Sequence, residues 1–281
     1  MNYRDILGST RKRLEAAGIP DASFEARQLV CAAAALTPEK LALSYAEEFF
    51  SGERLDAMLS RRLRLEPLQY IIGKWEFFGM DFFVGSGVLV PRQDTELIVE
   101  LALEFAGKMT APAVFADLCS GSGCIAAAFE KNSGSVKSLY AIEKSPEAFE
   151  YLKKNIALHS SRITPVLADV TLAETAAALP LCDIITCNPP YLTSENMEKL
   201  QSEVRYEPKT ALYGGNGGLE LYKSISAVWH DRLADNGVII FEYGIGQETA
   251  VSEILAENGY ADIRLHRDLT GRNRAVSASP I

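Results

Sequence analysis

The sequence predicts an α/β protein: a Rossmann-like domain with a mostly parallel sheet, preceded by a small all-helical unit and a β-hairpin linker. Three observations carry this. Residues 1–73 hold their apolar side chains at helical intervals, segments of strand and helix pattern alternate from about Asp94 onward, and the first predicted strand runs straight into a glycine-rich turn. The expected division is 1–73 helical unit, 74–93 hairpin linker and 94–281 main domain.

In the helical unit Leu7, Leu14, Phe24, Leu29 and Val30 recur at helical spacing, and Gly18 and Pro20 break one segment before Asp21 or Ser23 can cap the next. Thr37-Pro38-Glu39 has the form of a cap, a proline at the first helical position and an acid in the first turn. A third helix is expected from Gly52 to about Leu65, with Leu55, Met58, Leu59 and Leu63 on one side. The basic run Arg61-Arg62-Leu63-Arg64 reads as a solvated helix face.

The texture changes at about residue 74. KWEFFGMDFFVGSGVLVPR is aromatic and β-branched and is punctuated by glycine, which predicts a hairpin. Beyond it the expected strands are Val114–Leu118, Ser138–Ile142, Thr164–Leu167, Asp183–Cys187, Gly237–Tyr243 and Asp262–Leu265. In open parallel sheets a ligand lies beyond the carboxyl ends of the strands, and each motif below falls at such an end.

Composition narrows the class. The chain has 281 residues, 48% hydrophobic and 23% charged, as expected of a globular protein with a sizeable core. Its formal net charge of −9 argues against broad phosphate binding, so no direct nucleic-acid partner is expected. The five cysteines make an odd set with no disulfide framework. Their matched pairs, Cys119 with Cys124 and Cys182 with Cys187, are spaced more widely than usual zinc ligands, so no metal is expected. The N-terminus lacks the apolar segment of a signal peptide and no stretch is long enough to span a membrane; a cytoplasmic monomer is the expectation.

The glycine loop DLCSGSGCIAAAF covers residues 117–129. Gly121 and Gly123 permit a sharp turn and a close ligand approach, and Ala126 lets the next helix sit on the sheet. Glu143 lies 20 residues past Gly123, where an acid would hold ribose hydroxyls. The pattern indicates a nucleoside and leaves open whether it belongs to a nicotinamide dinucleotide or to S-adenosyl-L-methionine. Asp169, after the third strand, is a candidate acceptor for an adenine amino group.

The most informative stretch is CDIITCNPPY, residues 182–191, where an apolar strand stops at an Asn and two prolines. An amide nitrogen or an exocyclic amine is a poor nucleophile because its lone pair is delocalised. Methylating it requires its two hydrogens to be held so that the lone pair is aimed. Asn188 supplies a side-chain acceptor, Pro189 a carbonyl whose direction is fixed, and Tyr191 a ring for a planar group to lie against.

Taken together these motifs resemble the HemK/PrmC-type methyltransferases, which modify the side-chain nitrogen of the glutamine in the Gly-Gly-Gln loop of class 1 peptide chain release factors. The resemblance spans ASFEARQLV, the linker EPLQYIIGKWEFFGMDFFVGSGVLVPRQDTELIVE, the glycine loop, NPPY, ALYGGNGGLELYKSI, EYGIGQ and DLTGRNRAV. NPPY alone is shared with DNA and RNA amino-methyltransferases; its pairing with PRQDTE, Pro91 to Glu96, is far more specific.

The resemblance implies a class I methyltransferase domain using S-adenosyl-L-methionine. Asp117 and the run Cys119, Ser120, Gly121, Ser122 and Gly123 would surround the methionine part of the cofactor. Glu143 would take its ribose, and Asp169 with Val170 would border its adenine. Asn188 and the Pro189 carbonyl would hold the glutamine amide, with Pro190 and Tyr191 completing the pocket. The linker and N-terminal helices would help shape the release-factor docking surface.

The chain departs from the family's commonest pattern at Cys119, where Gly is usual, and at Glu143, where Asp is frequent. Phe77 and Phe78 are expected in the hairpin's core rather than along a substrate channel. The nearest rival is methylation of a ribosomal-protein glutamine. DNA or RNA amino-methylation ranks lower, since no base-reading domain is visible. A nicotinamide-dependent oxidoreductase would explain the glycine loop but not NPPY, and a catalytically dead docking protein would not need the NPPY acceptors.

Overall fold

The computed structural model describes residues 1–134 and 136–281. The chain divides into two compact units, one comprising Met1–Lys74 with Gln201–Tyr206, the other Trp75–Leu200 with Glu207–Ile281. The hairpin therefore goes with the larger unit, and a short segment from the far end of the sequence goes with the helices.

The first unit consists of α1 (Tyr3–Ala16), α2 (Ala22–Ala34), α3 (Pro38–Leu43), α4 (Gly52–Arg62) and α5 (Leu68–Ile72). Thr37 caps α3, its hydroxyl accepting the Lys40 N–H at 3.4 Å. Leu14, Leu29, Val30, Leu55 and Leu59 form the core, while Phe24, expected there, is 45% exposed.

The basic run is a solvated face only in part: Arg64 is exposed and Arg61 half-buried, but Arg62 departs from the expectation. Arg62 is buried, its guanidinium donating to both oxygens of Glu25 and to Glu203, and Arg61 pairs with Glu66. A long side chain with five donors can satisfy several acceptors at once, which is why an arginine tolerates this position. The Tyr206 hydroxyl also donates to the Arg64 carbonyl at 2.8 Å, so Gln201–Tyr206 is held by polar contacts to α4 and the turn after it.

The second unit opens with the hairpin β1 (Lys74–Phe77) and β2 (Met80–Phe83). Phe77 and Phe82 are buried and meet edge to face at 6.2 Å, so both serve the core. A 3-10 turn, Gln93–Thr95, leads into α6 (Glu96–Gly107). Then follow β3 (Ala113–Leu118), α7 (Cys124–Asn132), β4 (Val136–Glu143), α8 (Pro146–His159), β5 (Thr164–Leu167), α9 (Ala173–Ala177) and β6 (Cys182–Cys187). The chain finishes with α10 (Ser194–Glu198), α11 (Glu220–Trp229), β7 (Leu233–Glu242), α12 (Glu248–Glu257), β8 (Tyr260–Arg267) and β9 (Asn273–Pro280).

The seven main strands form one sheet in the order β5-β4-β3-β6-β7-β9-β8. Strands β3 to β7 pair in parallel, and β9 runs antiparallel between β7 and β8. Strand period two divides the core into two layers. Phe115, Ile184, Val238 and Ile240 face α6, α7 and α8, whereas Val114, Ala116, Ile185, Ile239 and Phe241 face α9, α11 and α12.

From β3 the chain winds outward through β4 to β5, then crosses to β6 on β3's other side. That reversal opens a crevice beyond the ends of β3 and β6. No helix among the described residues is long and apolar enough to cross a membrane.

Candidate active site

The register pairs Leu118 of β3 with Cys187 of β6. The next residue on each strand is Cys119, which enters the glycine loop, and Asn188, which enters the Pro-Pro lip. The two motifs separated by about 65 positions in sequence therefore begin side by side, as the parallel pairing of their strands requires.

The loop is shaped from beneath. Ser120 donates from its hydroxyl to the Asp117 carbonyl at 2.6 Å, and Gly123 N–H donates to the Ser120 carbonyl at 2.8 Å. Gly123 has φ +79°, and a Cβ there would stand 2.4 Å from the Leu152 side chain, so the position needs glycine twice over. Cys119, where glycine is usual in the family it resembles, also sits in the left-handed region at φ +57°. A non-glycine residue there carries about 1 kcal/mol or more of backbone strain. Asn155 of α8, buried, donates to the Ser122 carbonyl at 2.9 Å and exchanges hydrogen bonds with the Phe83 backbone, tying the loop to the hairpin.

Three carboxylates lie at the strand ends. Glu143 is largely committed to the backbone: its two oxygens accept N–H from Gly121 at 2.8 Å and from Ser145 at 2.7 Å. Desolvation raises its pKa against those hydrogen bonds. Its first structural job is thus to fix the glycine loop, and a ribose would share its remaining lone pairs.

Asp169 is likewise engaged, one oxygen with the Thr171 N–H and hydroxyl and the other with Lys144 at 2.7 Å. An adenine amino group would have to displace the exposed Lys144. The Val170 side chain belongs to the core, and its carbonyl accepts the Trp229 indole N–H at 2.8 Å, so only its backbone remains to border a ligand.

Asp117 differs. It is fully buried, one oxygen accepts the Thr186 hydroxyl at 2.9 Å, and Oδ2 has no hydrogen-bond partner. Desolvation pushes its pKa up to about 7. Because the folded value lies above the unfolded one, near 4, the folded state holds a proton that the unfolded state gives up. This group's contribution to stability therefore falls as pH rises from about 4 to about 7. Asp117→Asn, which mimics the protonated acid, should raise the melting temperature at pH 8 by roughly 5 °C or more and change it little at pH 4.5. Scanning calorimetry at the two pH values reads this out.

The lip is clamped by segments far along the chain. Leu192 N–H donates to the Leu212 carbonyl and Gly214 N–H to the Leu192 carbonyl, a parallel bridge beside residues 188–191. A Cβ on Gly214 would stand 2.4 Å from the Pro190 carbonyl oxygen and 2.8 Å from the Tyr191 Cα, both backbone atoms. Gln247 completes the clamp, its Nε2 donating to the Tyr191 carbonyl at 3.1 Å while its Oε1 accepts the Gly244 N–H at 2.8 Å.

Behind the lip is a buried polar cluster. Asn188 Nδ2 donates to Thr95 Oγ1 at 3.1 Å, and Thr95 Oγ1 donates to Glu242 Oε2 at 2.6 Å. The Tyr191 hydroxyl donates to Glu242 Oε1 at 3.3 Å. That bond directs the Tyr191 hydroxyl inward and sets its ring edge beside Gly244. Arg274 of β9 donates to Asp94 at 2.8 Å and to the Tyr243 carbonyl at 3.2 Å, which pins the 3-10 turn carrying Thr95. Burial raises the pKa of Glu242, opposed by the Thr95 hydrogen bond, the Arg274 charge and the Tyr191 hydrogen bond.

This geometry, a nucleoside-type loop abutting a rigid lip with fixed acceptors, can be set beside known proteins. The PrmC N-terminal domain model matches residues 5–73, and a model described as conserved hypothetical protein 95 matches residues 95–213. A release factor glutamine methyltransferase of Geobacter sulfurreducens is 37% identical over 97% of this chain and 95% of its own length. One of Thermodesulfovibrio yellowstonii is 35% identical over 90% of each chain. The chain belongs to the release factor glutamine methyltransferase family.

The fold of this family member is likewise that of solved methyltransferases. The hMettl16 catalytic domain, solved with the MAT2A 3'UTR hairpin 6, aligns with a TM-score of 0.58 at 19% identity, covering 82% of this chain and 81% of its own. A methyltransferase from Pyrococcus furiosus aligns at 0.54 and 17% identity, covering 83% of this chain and 100% of its own. Both establish the Rossmann-like fold.

The structure brings Asp117 and the loop Cys119, Ser120, Gly121, Ser122 and Gly123 to the end of β3, Glu143 to the end of the neighbouring β4, and Asn188, Pro189, Pro190 and Tyr191 to the end of β6 on β3's other side. Sequence reasoning missed Thr95, Glu242, Gln247, Gly214 and Asn155. A signal existed for Glu242: it ends a predicted strand on the same alternation as Val238 and Ile240, which points it to the α6 side. Gly214→Ala tests the clamp. It removes no chemical group, yet should cut turnover by about 100-fold through displacement of the lip, and the same clash should lower the melting temperature by several degrees.

Proposed function

We propose that this chain transfers a methyl group from S-adenosyl-L-methionine to the N5 side-chain amide nitrogen of the glutamine in the Gly-Gly-Gln motif of class 1 peptide chain release factors. The observation that carries the proposal is the abutment of Asn188 and the glycine loop through the Leu118–Cys187 register.

The crevice suits this cofactor. The unpartnered Asp117 oxygen at the base of the loop is an acceptor for an ammonium group, and the glycine loop presents backbone to the methionine portion. Glu143 would share a lone pair with the ribose, and Asp169 with the Val170 backbone would border the adenine. When bound, S-adenosyl-L-methionine supplies an electrophilic methyl group on a positively charged sulfur.

The residues of the lip act on the amide. Asn188 Oδ1 and the Pro189 carbonyl accept its two hydrogens, turning the nitrogen lone pair toward the methyl carbon. Pro190 holds the lip's direction, because proline restricts both itself and the residue before it. Each hydrogen bond contributes about 0.5–1.5 kcal/mol net, whereas alignment in an attack geometry is worth about 7–11 kcal/mol. Rigid placement therefore outweighs binding strength, and the clamp by Gly214 and Gln247 serves that placement. The nitrogen's surplus proton leaves after transfer, when the positive charge has passed from sulfur to the amide.

Two measurements test the proposal. S-adenosyl-L-methionine should raise the melting temperature by mass action and NAD should not; the reverse pattern would replace the methyltransferase reading with an oxidoreductase. Incubation with a purified release factor should add one methyl mass to the peptide containing Gly-Gly-Gln. Labelling of a ribosomal protein instead would favour the sister activity.

A further inference from the structure

We infer that Thr95 and Glu242 are positioning residues: a one-way hydrogen-bond relay from Asn188 through Thr95 to Glu242 decides which end of the Asn188 amide faces the substrate. This rests on the proposed role of Asn188 as an acceptor and adds the reason it can serve as one.

An asparagine amide has two ends of nearly equal shape and opposite hydrogen-bonding character. An acceptor for an NH2 group must present oxygen; rotated by half a turn, the same side chain presents NH2 to NH2. The lip backbone alone does not choose between these. Thr95 does, because a hydroxyl has one proton to give. With Glu242 ionised, the state that the Thr95 and Tyr191 hydrogen bonds and the Arg274 charge favour against burial, that proton goes to its carboxylate at 2.6 Å, which leaves Thr95 Oγ1 with only lone pairs toward Asn188. The Asn188 NH2 is drawn to it at 3.1 Å, and Oδ1 is left for the crevice.

Glu242 is suited to anchoring such a chain. It is buried at the end of β7, and its other oxygen accepts the Tyr191 hydroxyl at 3.3 Å, so both of its oxygens take protons from lip-side groups. Thr95 is buried too, and its backbone is fixed on both sides. Its N–H donates to the Arg92 carbonyl at 3.1 Å, and its neighbour Asp94 is paired with Arg274. A relay built from short, buried, hydrogen-bonded groups holds its direction because an unmade bond there is costly.

The substitutions that separate direction from shape are Thr95→Val, which keeps the volume without the hydroxyl, Thr95→Ser, which keeps the hydroxyl, and Glu242→Gln, whose amide can donate back to Thr95. Methyl transfer to release factor should lose about 10–100-fold in kcat in Thr95→Val and Glu242→Gln, with KM and cofactor affinity within about threefold. Thr95→Ser should stay within about threefold of the parent. In an Asn188→Ala background, Thr95→Val should cost nothing further, because its effect passes through Asn188.

A readout independent of substrate is the Asn188 side-chain NH2 signal in NMR, whose hydrogen exchange should be protected in the parent and in Thr95→Ser but not in Thr95→Val. Unchanged kcat and unchanged exchange in Thr95→Val and Glu242→Gln would overturn the relay, as would an equal loss in Thr95→Ser. Full activity in Asn188→Ala would instead overturn the proposed role of Asn188 itself, so the two failures are distinguishable.

Discussion

Asn188→Ala should lower the rate of methyl transfer by about 10²–10³-fold while the protein remains folded. On the proposed mechanism the substitution removes one of the two acceptors for the amide hydrogens, so a lone pair that would be aimed becomes free to rotate. The loss belongs in kcat, because the acceptor matters most as the nitrogen rehybridises. Stability should change by no more than about 1.5 kcal/mol, since the side chain gives up a single hydrogen bond and Thr95 keeps its bond to Glu242. Single-turnover kinetics beside a melting curve separate the two effects. A variant turning over at the parental rate would remove Asn188 from the mechanism.

Arg62→Ala should destabilise the helical unit by about 3–5 kcal/mol, an effect its sequence context hides. The guanidinium, itself buried, donates to both oxygens of Glu25 and also binds Glu203. Truncation strands the Glu25 carboxylate in the interior and releases the Gln201–Tyr206 segment from one of its contacts to α4. Replacing both partners, Arg62→Met with Glu25→Leu, should recover most of the loss, because no unpaired charge is then buried. Urea denaturation of the single and double variants decides this; equal losses would show that packing rather than charge is at stake.

The parts of this molecule legible in sequence are those whose physics is local. A glycine loop announces itself because Gly123 occupies a left-handed conformation, with Leu152 packed close, that favours glycine. The lip is visible because two consecutive prolines end an apolar strand. The alternation of helix and strand is enough to give the sheet and the end of it at which ligands bind.

What was hidden is tertiary. Thr95 and Glu242 are 147 positions apart and meet only because α6 starts over the end of β7. The last strand, Asn273–Pro280, went unpredicted because its middle, Ala275, Val276, Ser277 and Ala278, is buried on both faces and made mostly of small residues. Small residues of that kind give a weak period-two signal, and the strand forms by antiparallel pairing on both sides. Arg62 misled for a related reason, since a charge run is usually solvated and only the fold shows which member has carboxylates waiting for it.

The linker PRQDTE gains a second meaning from the same facts. Its Asp94 and Thr95 are bound to Arg274 and Glu242, and Thr95 accepts from Asn188, so this segment braces the start of the lip from behind.

The most direct test of the central claim, that the lip holds a side-chain amide for methylation, is transfer of labelled methyl from S-adenosyl-L-methionine to a purified release factor. It should be run beside the same factor with the Gly-Gly-Gln glutamine changed to alanine. Label in the first and none in the second is the predicted result. Equal label in both would place the methylated atom elsewhere and contradict the account.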